Sequence, residues 1–420
     1  AVHYQVPRGL EQFTGGAWGT RDVCQGPVGL LLATGEHAAL RATLLQVFAG
    51  QADDGDWPQW FEYLPATAAP GHRSSHGDVV YWPLLALGEY LLVSGDAGLL
   101  DEPVRFVGAT AFTAPEPVRE HVRRAVERLA ARRTADPRLP AYGHGDWNDS
   151  LQPAQPALAE RVCSTWTSVL EVEALRTLAA GLAATDPGLA AKLAALADQT
   201  QQAVEQVLLA DGELAGYGVV GADGVDLLVH PRDAVTGLRH GSLQVIHAIA
   251  AELLDPQQAR DHVAVIDKHL AGPHGIYLFD APVGYDGGRL HVFQRAEAAT
   301  FWGREIGLMY THAQLRWIEA LTHLGEADRA WAELLKVVPA GVRDRIPGAL
   351  PRQGSCYYSS ADAVFPDRYV ARERARDLFD PATPFEGGWR VYSSGPGLVL
   401  RLVTERLLGV RFRAAGIQLD

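Results

Sequence analysis

A chain of 420 residues, 47% hydrophobic and 21% charged, can bury a large core and is no disordered or low-complexity polymer. A formal net charge of -13 without an extended basic surface argues against a nucleic-acid partner, and no apolar run approaches the roughly 18 residues of a membrane span. Three scattered cysteines (Cys24, Cys163, Cys356), none in a CxxC pair, suit a reducing, cytoplasmic setting better than a disulfide framework, and the Ala1-Val2-His3-Tyr4 start has no secretion-signal pattern.

In chain order, Tyr4 to Trp18 reads as irregular and leads into Gly19-Thr20-Arg21-Asp22-Val23-Cys24-Gln25-Gly26-Pro27, with a short apolar helix expected beyond Pro27. After Gly35, Leu40, Leu44, Val47 and Phe48 fall on one helical face. A long loop from Asp53 to His76 carries Trp57, Trp60, Phe61 and Tyr63, which either pack as a cover or line a cleft. A helix from Trp82 to Ser94 should stop at Gly95-Asp96. The basic run Arg119 to Arg133 interleaves with Val118, Val122, Val126 and Leu129, the pattern of an amphipathic helix with a solvated charged face.

Two long helices are expected next, Ala157 to Leu182 and Gly188 to Leu209, followed by short strands between Gly212 and Val229 with turns at Asp211-Gly212 and Asp223-Gly224. Helices resume at Ser242, read as an N-cap, and at Pro256. Further helices are expected from Met309 to His323, from Glu326 to Val338 and from Leu398 to Leu408, with irregular stretches from Gly272 to Thr300 and from Pro339 to Pro396. Helices paired through short turns alternate with long loops, with almost no strand-helix-strand alternation. That pattern points to an all-α fold, an (α/α)6 barrel (toroid) with long loops collected at one end and minor β hairpins. No compositional break divides residues 1–420, so one domain is expected.

The stretch richest in chemistry is Tyr142-Gly143-His144-Gly145-Asp146-Trp147-Asn148-Asp149-Ser150. Its glycines favour a loop, its indole offers a face for a sugar ring, and its carboxylates can accept hydroxyl hydrogen bonds or protonate a glycosidic oxygen. A capped helix start beside a buried aromatic would have the same composition. His72 and His76 have HxxxH spacing, but they sit in a loop without a third ligand, so no metal is assigned. No GxSxG elbow, Walker loop or dinucleotide fingerprint occurs.

Four motifs in order, Arg21-Asp22, Asp146-Trp147-Asn148-Asp149, Glu305 with His312, and Trp389-Arg390-Val391-Tyr392-Ser393-Ser394-Gly395, carry a resemblance over Gly15 to Leu408. The chain resembles the catalytic barrel of the glycoside hydrolase family 94 phosphorylases, and its Ala17 to Pro27 and Phe293 to Glu297 wording looks closest to the 1,2-β-oligoglucan phosphorylases. Cyclic β-1,2-glucan synthases carry a related barrel. By motif position, the resemblance implies that Asp149 is the general acid, with Asp146 and Trp147 shaping the donor subsite. It also implies that Arg21 and Asp22 hold sugar hydroxyls, that Glu305 contacts substrate across the scissile bond, and that His312, Ser393, Ser394 and Gly395 bind phosphate. Asp78 is read either as reaching the active-site mouth or as capping the following helix. The family commonly has Thr-Gly where this chain has Ser393-Ser394, and a second acid where it has Gln25-Gly26.

The reaction so implied is inverting phosphorolysis of a β-linked gluco-oligosaccharide to α-glucose 1-phosphate and a shortened glucan, with inorganic phosphate as co-substrate and no cofactor. A phosphorylase needs one side-chain acid, because phosphate arrives as the nucleophile; an inverting hydrolase needs a base as well. Such a hydrolase on the same barrel and a catalytically silent glucan-binding module are the competing readings. The resemblance further implies a homodimer, and relatives carry an upstream β-sandwich domain and a first barrel helix that this chain is expected to lack.

Overall fold

The computed structural model describes residues 17–62, 75–299, 302–303, 307–388 and 395–420. It is mostly helical, and its sheets among the described residues are antiparallel and two- or three-stranded. No helix among these residues is long and apolar enough to cross a membrane. The chain folds as two compact units.

One unit comprises Ala1–Arg133, Leu170–Thr200 and Pro396–Asp420. Its first helix is Thr20–Thr34, so the helix expected beyond Pro27 already begins at Thr20 and holds that proline inside it. Twelve of the 15 residues are buried, and such packing outweighs the roughly 3 kcal/mol that an interior proline costs. A Cβ on Gly397 would stand 1.9 Å from the Gly26 carbonyl oxygen, so the Gly-Pro pair marks a close backbone crossing and not a helix break. The helix His37–Ala49 buries Leu40, Leu44, Val47 and Phe48, as its stripe requires. Trp57 is fully buried, donates Nε1–H to the Val47 carbonyl at 2.8 Å and meets Phe48 edge-on, which makes it loop core. Trp60 lies on the strand Trp60–Glu62, paired with Ala17–Gly19; Tyr63 and His72 lie outside the described residues.

The helix Tyr81–Ser94 ends at Gly95 in the left-handed conformation, where the sequence places its stop. It lies close against Leu170–Leu182 of the helix Thr165–Leu182. At the C-terminal end, the helix Gly395–Arg401 passes into a wider turn, Leu402–Leu407, and then into the hairpin Val410–Arg413 with Gly416–Leu419. The sequence reading expects a helix from Leu398 to Leu408 and assigns nothing beyond it. Tertiary contacts hold the hairpin: Phe412 closes over Gly35, and Ala414 donates its amide to the Val93 carbonyl at 2.7 Å.

The other unit comprises Thr134–Val169 and Gln201–Gly395. The single helix expected from Ala157 is divided into Leu158–Arg161, the strand Val162–Ser164 and the helix that starts at Thr165. Pairing with Tyr217–Gly221 causes the break, in the register Val162↔Val219, Cys163↔Gly218, Ser164↔Tyr217. The hairpins turn at Asp211-Gly212 and Gly224 with positive φ, as read. Ser242 precedes the helix Leu243–Ala250, but its own backbone is already helical and its hydroxyl makes no cap bond, so the expected N-cap fails. At Pro256–His269, Asp255 and Gln258 form a reciprocal capping box. The helix expected from Met309 begins two residues later, Thr311–His323, because Met309–Tyr310 pair with Ser360–Ala363, which pairs in turn with Phe385–Gly387. That sheet packs on a core of Tyr277, Trp302, Leu308 and Leu378.

Candidate active site

The loop expected to carry the chemistry is tied down by its own polar groups. Tyr142 donates its amide to the Val162 carbonyl at 2.8 Å, and its hydroxyl to the Leu151 carbonyl at 2.8 Å. Asn148 precedes a single 3-10 turn, Asp149–Leu151, and its side-chain oxygen accepts the Ser150 amide at 3.0 Å. Gly143 and Gly145 have φ of 63° and 141°, a conformation that accounts for the glycines flanking His144.

The two acids of this loop sit differently. Asp146 is 1% exposed; its Oδ2 accepts the Ser164 hydroxyl at 2.5 Å and the Thr167 hydroxyl at 3.4 Å, and its Oδ1 accepts the Asn148 amide at 3.1 Å. Burial, and then the Asp146 charge, push the Tyr217 phenol well above its ordinary value. Asp149 is only partly buried. Arg295 reaches its backbone carbonyl at 3.4 Å.

Trp147 is 8% exposed and is set among Trp166 (5.1 Å between ring centroids), Tyr310 (5.5 Å) and His312 (6.1 Å). The indole is therefore a packed wall that connects the acidic loop to His312. His312 stands in the first turn of Thr311–His323, stacked on Tyr310, with its Nδ1 3.3 Å from the Tyr357 hydroxyl. The Tyr358 and Ser359 carbonyls accept from Thr311, through its hydroxyl and its amide, both at 2.8 Å. Gly395 lies directly against the Tyr357 ring, where an added Cβ would come within 2.0 Å. The unit thus joins Trp147, His312, Tyr357 and Gly395 in one contiguous set. Glu305, Ser393 and Ser394 lie outside the described residues, as does Arg304.

Sequence reasoning missed Tyr357, Tyr310 and Trp166 as neighbours of this set. The adjacent pair Tyr357-Tyr358 in an otherwise irregular region is the one signal that could have marked the first. It also used Phe293 to Glu297 only as family wording. In the structure the Glu297 carboxylate accepts three successive amides, His291 at 2.6 Å, Val292 at 2.6 Å and Phe293 at 2.7 Å, while Ala154 and Gln294 bond across to Val292 and Gln152. This segment braces the chain just after Asp149.

In the other unit, Arg21 lies in the first turn of Thr20–Thr34 and sets its guanidinium against both oxygens of Asp78, at 3.3 Å and 3.1 Å. Asp78 is fully buried and also accepts Trp82 Nε1–H at 2.9 Å, so it anchors Arg21 as well as the following helix. A guanidinium can only donate, so His76, 3.0 Å from it through Nδ1, presents that nitrogen unprotonated. The Asp22 carboxylate folds back over Gly19, 2.2 Å from where a Cβ would be, at the positive end of its helix. No group of three or more His, Cys, Asp or Glu suited to a metal ion occurs among the described residues.

Residues 12–349 match the family model described as "Glycosyl hydrolase 94 superfamily, catalytic domain". The chain is 39% identical over 416 residues to a 1,2-beta-oligoglucan phosphorylase of Listeria innocua serovar 6a, a match covering 98% of this chain and 38% of that protein. It is 27% identical over 426 residues to the cyclic beta-(1,2)-glucan synthase NdvB of Rhizobium meliloti, covering 95% of this chain and 14% of that protein. The chain therefore spans well under half the length of these curated relatives. A solved structure titled "Glycosidase Wild Type" shares the fold, with a TM-score of 0.55 at 15% identity over 93% of this chain and 88% of that one.

Proposed function

This chain belongs to the glycosyl hydrolase 94 superfamily through its catalytic domain, and on that premise we propose that it carries the machinery for inverting phosphorolysis of a β-linked gluco-oligosaccharide, a β-1,2-glucan in particular. The Listeria relative, a 1,2-beta-oligoglucan phosphorylase, supports the linkage and the reaction. The (α/α)6 toroid of the sequence reading and a reducing, cytoplasmic setting belong to the same proposal, and the three cysteines are free.

The observation that supports it is that Trp147, two residues before the partly buried Asp149 in the same loop, packs against His312. In this reading Asp149, protonated, gives its proton to the glycosidic oxygen as the C–O bond breaks. A phosphate oxygen attacks the anomeric carbon from the opposite face, inverting it to α-glucose 1-phosphate and leaving Asp149 as a carboxylate. Arg21, held by Asp78, and Asp22 bind hydroxyls of the reacting sugar, and Glu305 contacts substrate across the bond. His312, at a helix start, binds phosphate together with Ser393, Ser394 and Gly395.

The test is to incubate the protein with β-1,2-gluco-oligosaccharide with and without inorganic phosphate and to assay α-glucose 1-phosphate. The expected outcome is turnover only with phosphate; turnover that ignores phosphate means a hydrolase.

A further inference from the structure

We propose that Asp146 is a positioning residue for Asp149, acting through a buried clamp onto Ser164 and Thr167, and not a contact of the sugar. This deepens the phosphorylase reading above and rests on it.

The clamp lies in the interior. Asp146 is 1% exposed, Ser164 1% and Thr167 0%, so none of the three offers a surface to a glucan. Ser164 closes the strand Val162–Ser164, directly before the helix Thr165–Leu182. Its hydroxyl accepts the Thr167 amide at 3.4 Å while donating to Asp146 at 2.5 Å. The carboxylate thus lies at the N-terminal end of an 18-residue helix, where backbone dipoles favour a negative charge. Its other oxygen takes the Asn148 amide at 3.1 Å, with the Tyr142 hydroxyl at 3.4 Å. Asn148 in turn holds the Ser150 amide, so the residues on either side of Asp149 are linked to the helix start, Asn148 through Asp146 and Ser150 through Asn148 and Asp146.

The chemistry gives the arrangement a purpose. A general acid must stand within hydrogen-bond reach of the departing oxygen, and a shift of about 1 Å can cost on the order of 100-fold in rate. A loop with two glycines at positive φ does not hold that tolerance unaided. Asp146, tied to Ser164 and Thr167 at the helix start, supplies it.

The experiment uses Ser164→Ala, Asp146→Asn, the double variant, and the isosteric Thr167→Val. Kinetics with β-1,2-gluco-oligosaccharide and phosphate are combined with amide hydrogen exchange at Asn148 and Ser150, and thermal melts confirm folding. Ser164→Ala is expected to lower kcat by about 10- to 100-fold with both KM values within about 2-fold. Asp146→Asn should do the same, the double variant should be no worse than the more damaged single one, and exchange at both amides should speed up. Thr167→Val, removing the longer bond, should show the same pattern more weakly. A raised oligosaccharide KM in Asp146→Asn with a silent Ser164→Ala would place Asp146 on the sugar and overturn the clamp, as would multiplying losses in the double variant. If the parent turns over nothing with phosphate, the reaction assignment fails alone: unchanged exchange in Ser164→Ala then overturns the clamp, and faster exchange upholds it as the device that fixes Asp149.

Discussion

Asp146 and Asp149, three positions apart, show how environment assigns roles. The first spends both oxygens on hydroxyl and amide donors in the interior, and the second heads a 3-10 turn and stays partly open to solvent. In the proposed reaction the acid must be reachable from the substrate in each cycle, and the partly exposed Asp149 meets that condition where the buried Asp146 does not. Replacing Asp149 by Asn is therefore expected to lower kcat by about 100- to 10,000-fold while leaving glucan affinity within a few-fold, measured by steady-state kinetics and calorimetric titration. Tyr357 is a second case. Its hydroxyl is 3.3 Å from His312 Nδ1, so Tyr357→Phe should raise the phosphate KM several-fold with little change in kcat, read from initial rates at varied phosphate. The Asp-Trp-Asn-Asp loop was legible because its residue types are rare together. Tyr357 was not, since nothing in its flanking residues tells that it will meet a histidine 45 positions earlier.

At the scale of elements, two glycines show packing overruling local preference. The sequence places a helix only beyond Pro27, yet Thr20–Thr34 runs through Gly26-Pro27 with most of its residues buried, and the backbone crosses closely between Gly26 and Gly397. Gly88 is comparable: a Cβ there would stand 2.7 Å from the Leu178 amide nitrogen. In an exposed helix Gly→Ala gains about 1 kcal/mol; here Gly88→Ala should instead destabilise by about 1–3 kcal/mol through overpacking, seen as a lower urea midpoint. The helix boundaries that sequence placed well, at Gly95 and at Asp255, are those set by local capping. Those it missed, at Val162–Ser164 and Met309–Tyr310, are set by strand partners some 50 residues away in sequence.

For the molecule as a whole, buried histidines contribute to its response to acid. Burial holds His121 down at about 4 and His274 at about 3, the latter helped by the Arg352 and Lys336 charges, against an ordinary value of 6.5. Between these values the unfolded chain binds protons that the folded chain refuses, so stability rises with pH across that window and is lost as pH falls from about 6.5 towards 4. Thermal melts from pH 7.5 to 4.5 should show the melting temperature dropping steadily below pH 6.5. The slope should be shallower in His274→Leu, whose side chain cannot take up a proton; an unchanged slope would remove His274 from this account.

Periodicity and capping signals, which act over one or two helical turns, were enough to establish a mostly helical chain with few hairpins. The motif order was enough to point to the family that the comparison with residues 12–349 then bore out. What the fold alone decided is which polar groups are consumed by structure and which are left for chemistry: Asp78 given to Arg21, Asp146 to Ser164, Trp57 to the core, Trp147 to a wall beside His312. That division depends on partners distant in sequence, and a carboxylate or an indole carries no mark of its partner until the chain has closed around it.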